Sequence, residues 1–496
     1  MSILEPLAPL RAHPGRRRTT GLDDETVVRF AERHADLAAA IEAAGDEYAR
    51  IRGEFADLLD LDEDAQIRAI QGGFLNFYSA DTANPYVALT ARGPWVVTLK
   101  GAVLYDAGGY GMLGFGHTPA AAIDAMARPQ AMANIMTPNL AQLRFDRAMR
   151  NEVGHTRSAC PYEKFLCLNS GSESVSLASR FADVNAKLMT DSGGRHAGRT
   201  IKRVVVKGSF HGRTERPAIY SDSSRKNYVQ HLASFRGENS VLVVTPYDVD
   251  QLRKTFADAD ANGWFIEAMF LEPVMGEGDP GRAVPRAFYD AARALTKAHG
   301  ALLLIDSIQA GLRAHGVLSI VDYPGFDGIE APDMETYSKA INGAQYPLSV
   351  LAVTAYAAAL YRNGIYGNTM TGNPRALDVA SAVLTQLTPE LRANIRTRGA
   401  QAVAKLDALR AEHPDLIVKA QGTGLLVSCE LGRQFKAYGA GSVEEKLRER
   451  GLGVIHGGEN SLRFTPHFAI TEDELDLVIS LVRQVVLEGA RVAAAV

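Results

Sequence analysis

Residues Leu271–Gly278 read LEPVMGEG, residues Ala301–Gly311 read ALLLIDSIQAG, and residues Ala331–Val350 read APDMETYSKAINGAQYPLSV. Two apolar runs here each end on a carboxylate, Glu272 and Asp306, and a lysine follows at Lys339. Short apolar runs without alternation predict strands buried on both faces, as in a parallel sheet. In an open α/β sheet the ligand sits at the carboxyl ends of such strands. The spacing therefore predicts that Glu272 and Asp306 point into one crevice. Lys339 reaches it from the next connection.

Further strands are predicted at Lys164–Asn169, Arg203–Val206 and Val241–Thr245, alternating with helical stretches. With Ala268–Glu272 and Ala301–Ile305 they give an α/β fold with a mostly parallel central sheet. After the first of them, Gly171-Ser172-Glu173-Ser174 turns into a helix. A Gly-Ser turn at a helix N-terminus offers free N–H groups to a phosphate; an ordinary serine N-cap fits the same residues.

Outside that sheet the pattern changes. Pro94–Asp106 reads strand, turn, strand, and the C-terminal stretches GLLVSCEL, VIHGG and LRFTP suit a smaller domain that those strands join. Gly109–Gly114 formally matches a dinucleotide fingerprint. Gly116 and Pro119 intervene before the next helix, and Asp124 falls inside that helix, so the match reads as a pocket loop carrying Tyr110. The Asn134–Asn139 stretch is read as a further pocket wall. Residues Met1–Gly21, rich in Pro and Arg, are expected to be loose. Leu37, Ile41, Ala44, Tyr48, Ile51, Phe55 and Leu58 then form a heptad-like seam on one long helix, packed on its own subunit or clasping a partner. The expected division is an extension over 1–72, a first part of the small domain over 73–120, a large domain over 121–374 and the rest of the small domain over 375–496.

The totals exclude several classes. With 496 residues, 46% of them apolar, the chain buries a large core. A net charge of −4 without long runs of one sign argues against nucleic-acid binding. No stretch is apolar enough to span a membrane, and the N-terminus lacks the apolar segment of a secretory signal. Cys160, Cys167 and Cys429 have no metal-ligand spacing, and no metal site is expected. Reduced thiols suit a cytoplasmic enzyme.

A buried carboxylate beside a lysine suits pyridoxal phosphate. The Lys339 amine forms the Schiff base, and Asp306 keeps the pyridine nitrogen protonated, so that the ring is an electron sink. These residues stand in a series of motifs: NSGSES (Asn169–Ser174), FHGRT (Phe210–Thr214), EPVMGEG (Glu272–Gly278), IDSIQAG (Ile305–Gly311), YSKA (Tyr337–Ala340), TGNP (Thr371–Pro374) and LRFTP (Leu462–Pro466). In this order, from Pro94 onward, the chain resembles the class III aminotransferases, pyridoxal-phosphate enzymes of fold type I.

The resemblance implies further roles. Gly171 and Ser172 match the phosphate cup, Phe210 the aromatic over one ring face, His211 the same wall, and Gln309 the residue beside the cofactor's phenolic oxygen. Glu272 closes the cofactor set. Thr369 matches a residue that reaches the phosphate of a neighbouring subunit, which implies a homodimer or higher homo-oligomer with shared sites. Arg463 matches the arginine that forks the α-carboxylate of a keto acid, and Glu277 the glutamate that pairs with it when an amine donor enters. The implied reaction moves an amino group from an amine or ω-amino acid to a keto acid such as 2-oxoglutarate or pyruvate, donor and acceptor using the site in turn.

The chain also departs from the pattern. Ser307 stands where the family usually has Glu, Ala310 where it has Thr, and Ser174 where Ala is common, while Arg313 is displaced with His315 near its place. These changes leave open a racemase or epimerase, or a lyase or cyclase, on the same scaffold, and a non-catalytic binding protein.

Overall fold

The structure is a computed structural model and describes residues 2–131 and 135–494. It divides into two compact units, one of residues 120–396 with 422–426, the other of residues 2–119, 397–421 and 427–494.

The larger unit is built on a seven-stranded sheet: β1 (Lys164–Leu168), β2 (Thr200–Val206), β3 (Val241–Val244), β4 (Trp264–Leu271), β5 (Leu302–Asp306), β6 (Met334–Tyr337) and β7 (Ser349–Val353). The spatial order is β1-β7-β6-β5-β4-β2-β3. Neighbours pair in parallel except at β7, which runs antiparallel to both β1 and β6. Every residue of β5, β6 and β7 is buried. Burial on both faces follows from helices covering the sheet, and it explains the unbroken apolar run of β5. Strand β6 is not predicted from the sequence. Its four residues, Met-Glu-Thr-Tyr, carry no apolar run, yet all are buried. The first helix after β1, α1 (Gly171–Thr190), lays Val175, Leu177, Ala178, Phe181 and Ala182 on the core with Val205, Phe270, Leu302, Leu304 and Leu351. Helix Pro374–Thr385, beyond the expected boundary at residue 374, belongs to this unit.

The smaller unit contains the expected hairpin, Trp95–Thr98 against Val103–Asp106, with Gly101 at φ +73° in its turn. Strands Leu426–Leu431, Ser461–Phe464 and Ile455–Gly457 pair antiparallel, as the C-terminal stretches suggest.

Two expectations for the N-terminal extension are corrected. Residues before Gly21 are not loose. A short helix, Ala8–Ala12, buries Leu7 and Leu10 beside it, the buried Lys100 donates to the Pro14 and Leu59 carbonyls at 2.7 and 2.9 Å, and Arg18 pairs with Glu445 and Glu449. The heptad seam does not run along one long helix. The helix Ala35–Ile51 ends before Gly53, and a separate turn of helix covers Ala56–Leu59. Leu37, Ile41 and Ala44 are fully buried, and their helix packs on strands Ala88–Arg92 and Trp95–Thr98 of the same unit. The first part of the seam is therefore core of its own unit, while Phe55 is exposed. Among the described residues no helix is long and apolar enough to cross a membrane.

Candidate active site

Strands β1, β2, β4, β5 and β6 all point one way, so the segments leaving their carboxyl ends share one edge of the sheet. Gly171 follows β1, Phe210 and His211 follow β2, Glu272 follows β4, Asp306 ends β5 and Lys339 follows β6. This is the crevice edge expected for an open α/β sheet.

Asp306 is 4% exposed and held on both oxygens. Oδ2 accepts from His211 Nδ1 at 2.8 Å, while Oδ1 accepts from Ile308 N at 3.1 Å and Thr336 Oγ1 at 3.2 Å. A carboxylate only accepts, so His211 carries its proton on Nδ1. His211 is itself buried, and its Nε2 has no hydrogen-bond partner among the described residues. Each carboxylate oxygen takes two hydrogen bonds; Oδ2 takes one here, which leaves room for a pyridinium N–H.

Thr336 is the register partner of Asp306 across β5 and β6. Lys339 lies three residues further, about 11 Å of chain at most. It is half-buried, with φ +53° in the left-handed region that non-glycine residues seldom occupy. Strain at such a position is typical of residues placed for function.

Glu272 joins two loops. Its Oε2 accepts from Phe210 N and its Oε1 from Gly276 N, both at 3.0 Å. Burial raises its pKa to about 7, Asp306 adds to the rise, and His211 and the two N–H donors oppose it. The folded protein therefore holds this proton more tightly than the unfolded chain. The associated stability is fully present below about pH 4.5 and is lost as pH rises through about 7. The loss is on the order of 3 kcal/mol. Glu272→Gln should flatten that part of the pH dependence in thermal unfolding of the cofactor-free protein between pH 5 and 8. An unchanged slope would show that the carboxyl titrates normally.

The remaining pieces are held by close packing. A Cβ on Gly276 would lie 2.2 Å from Gln309 Cδ, one on Gly171 would lie 2.7 Å from Ile308 Cδ1, and one on Gly212, at φ +115°, would lie 2.4 Å from Ser172 Oγ. Ser172 thus sits under the His211–Arg213 turn at the start of α1. Both readings of the GSES turn have a counterpart. Ser170 and Glu173 form a capping box, and Gly171 and Ser172 stand at the helix start beside it. Phe210 is half-buried with the Arg213 guanidinium 5.1 Å from its ring centre. Glu277 is half-buried in the same unit. Thr369 is exposed; its neighbour Asn368 donates to Glu173 Oε1 at 2.9 Å.

In the smaller unit Arg463 is 2% exposed, between Ser428 and Ile455 on the adjoining strands. Thr465, two residues on, binds the Tyr110 loop. Its Oγ1 donates to Gly108 O and accepts from Gly111 N, and its N–H donates to Ala107 O at 2.7 Å. That loop is a single 3-10 turn, Gly109–Gly111, with Tyr110 at φ +47°. No helix opens on it, which agrees with rejecting the dinucleotide reading. Burial raises the Tyr110 pKa, the nearby Tyr78 adds to the rise, and the Arg448 charge, with a smaller part from Arg463, opposes it. Asn134, at the start of the expected second pocket wall, lies outside the described residues.

Four features are not expected from the sequence: strand β6, strand β7, the Thr336 hydroxyl on Asp306, and the His211–Asp306 hydrogen bond. The last had a signal, since His211 follows directly on Phe210.

The residues present fit pyridoxal phosphate. Oδ2 of Asp306 has spare acceptor capacity, a lysine is close by, and a helix start is pared to glycine. The fold and these groups define a pyridoxal-phosphate-dependent transferase of fold type I. Comparison with known proteins agrees. A family model described as aminotransferase class-III matches residues 77–486. An acetylornithine aminotransferase of Xanthomonas axonopodis pv. citri is 32% identical over 317 residues, 63% of this chain and 72% of that protein. One from Vibrio parahaemolyticus is 28% identical over 435 residues, 82% of this chain and 95% of that protein. In fold, the chain is similar to ornithine aminotransferase from Toxoplasma gondii, with a TM-score of 0.74 at 24% identity over 89% of this chain and 99% of that one. The chain belongs to the class III aminotransferase family and is a pyridoxal-phosphate-dependent enzyme.

Proposed function

We propose that this aminotransferase takes its amino group from an ω-amino acid or related amine and passes it to a keto acid such as 2-oxoglutarate or pyruvate. The single observation that carries the reading is the Asp306 constellation, whose Thr336 lies three residues along the chain from a half-buried, left-handed Lys339. When bound, the pyridoxal group offers an aldehyde carbon and a ring that accepts the electron pair of a broken substrate C–H bond.

The chain's own residues do the rest. Lys339 Nζ is the amine that would hold the cofactor through its aldehyde carbon, with loss of water, and, once freed by an incoming amine, would serve as the base that moves a proton at the substrate carbon. Asp306 would accept from the ring nitrogen, and its negative charge would keep that nitrogen protonated. His211, Ile308 and Thr336 fix the carboxylate's rotamer, so no reorganisation is needed when charge develops. Phe210 and Gln309 would hold the ring, and Gly171, Ser172 and the start of α1 would take the phosphate. Thr369 serves the phosphate of a second copy, which makes the working enzyme a homodimer or larger.

Arg463 supplies the fork for an α-carboxylate, and Glu277 tunes the charge met by an amine that lacks one. Arg463→Lys keeps the charge and loses the fork. It should raise KM for a keto acid about 10- to 100-fold with a smaller change in kcat. An equal fall of kcat with KM unchanged would place Arg463 elsewhere in the mechanism.

The function is tested by giving the holoenzyme one amine donor and no keto acid. A transaminase releases one equivalent of carbonyl product and stops. Continued turnover of the donor under these conditions identifies a racemase or lyase instead.

A further inference from the structure

Glu335, the second residue of β6, is fully buried and faces away from Thr336 and Asp306. Five donors converge on it. Oε1 accepts from Ser307 Oγ at 2.6 Å and Ile320 N at 3.0 Å. Oε2 accepts from Tyr162 OH at 2.7 Å, Tyr337 OH at 2.9 Å and Ser319 Oγ. Among the described residues no cation pairs with it. A buried carboxylate without a counter-ion is costly unless every acceptor site is used; here hydroxyls and one N–H stand in for the cation.

The partners are unevenly placed along the chain. Ser307 directly follows Asp306, and Ser319 with Ile320 closes the segment that Ser307 opens. Between them stand Ile308, whose N–H donates to Asp306 and whose side chain lies against Gly171, and Gln309, whose amide fills the space over Gly276. One carboxylate therefore clasps both ends of the segment that carries two walls of the cofactor crevice.

We propose that Glu335 is a positioning residue for the cofactor: by holding Ser307 and Ser319–Ile320 together it keeps Ile308, Gln309 and the Asp306 carboxylate in register. The inference rests on the assignment of Asp306 and Gln309 to the cofactor. That assignment has its own check, the attachment of cofactor to Lys339 in the unaltered enzyme. Glu335 does not touch the cofactor; it acts through the loop.

The test compares the parent with Glu335→Gln, Glu335→Ser and the double variant Ser307→Glu/Glu335→Ser, which moves the carboxylate across the 2.6 Å hydrogen bond. Three quantities are read: thermal unfolding of the cofactor-free protein, Kd for pyridoxal phosphate by fluorescence titration, and the pH midpoint of the bound cofactor's long-wavelength absorbance. Glu335→Ser should raise Kd about tenfold or more and displace the pH midpoint. The double variant should bring both back toward the parent, with Glu335→Gln intermediate. If Glu335→Ser does not fold, Glu335→Gln and the double variant carry the decision on the same readouts. Variants that melt earlier yet keep the parental Kd and pH midpoint would overturn the proposal, because Glu335 would then support only the fold. A double variant no better than Glu335→Ser would also overturn it.

Discussion

Replacing Lys339 by alanine should lower kcat by about 10⁴-fold or more. On the proposed roles two contributions would vanish together, the amine that holds the cofactor and the base that moves the proton. Lys339→Arg should be as inactive, since a guanidinium stays protonated and is no nucleophile. Stability separates chemistry from structure at this position. Lys339 is half-buried at φ +53°, and alanine meets the same backbone restriction there as lysine. The melting temperature of the cofactor-free variant should stay near the parent's. A small excess of a primary amine in solution should restore part of the activity, because it can replace the missing base. Variant kcat within tenfold of the parent would remove Lys339 from the chemistry.

Asp306→Asn should lower kcat by about 10³-fold. The amide is nearly the same size, so the crevice keeps its shape. Its NH₂ group nonetheless faces donors on either side, His211 Nδ1 at one oxygen and Ile308 N and Thr336 Oγ1 at the other. One buried donor is left opposed, at about 1–3 kcal/mol. The larger effect is chemical: without a negative charge the ring nitrogen loses its proton, and the electron sink weakens. Steady-state kcat and thermal unfolding of the same preparation separate the two. Asp306→Glu keeps the charge but displaces it, and should recover part of the loss. If Asn lowers only stability, Asp306 is a structural carboxylate.

The crevice was legible in the sequence because parallel strands announce themselves: β4 and β5 are apolar runs, and each is closed by a carboxylate that cannot belong to the core without a task. The resemblance carried by the motif series then implied roles for Gly171, Ser172, Phe210, Gln309 and Lys339. The failures have physical reasons. Strand β6 reads as polar because Glu335 lies in it, and the distant Ser307, Ser319, Ile320 and Tyr162, with Tyr337 in the same strand, make that carboxylate tolerable inside. The N-terminal residues show no periodicity, since what orders them is long-range: Arg18 on Glu445 and Glu449, and Lys100 on the Pro14 carbonyl. The seam of the helix Ala35–Ile51 was read correctly as apolar. A pattern names a face to be covered and does not say what covers it; here the cover is the unit's own sheet.

Ser307 is the departure with the clearest structural consequence. Its hydroxyl turns away from the crevice to Glu335, so the residue next to Asp306 contributes no second charge there. The groups that would perform transamination, Lys339 and Asp306 with its three donors, are all present despite the change.

The most direct measurement is borohydride reduction of the holoenzyme followed by peptide mapping. One equivalent of reduced cofactor per chain is expected, carried by the peptide that contains Lys339. Cofactor mass on any other lysine, or none on a preparation saturated with pyridoxal phosphate, would contradict it.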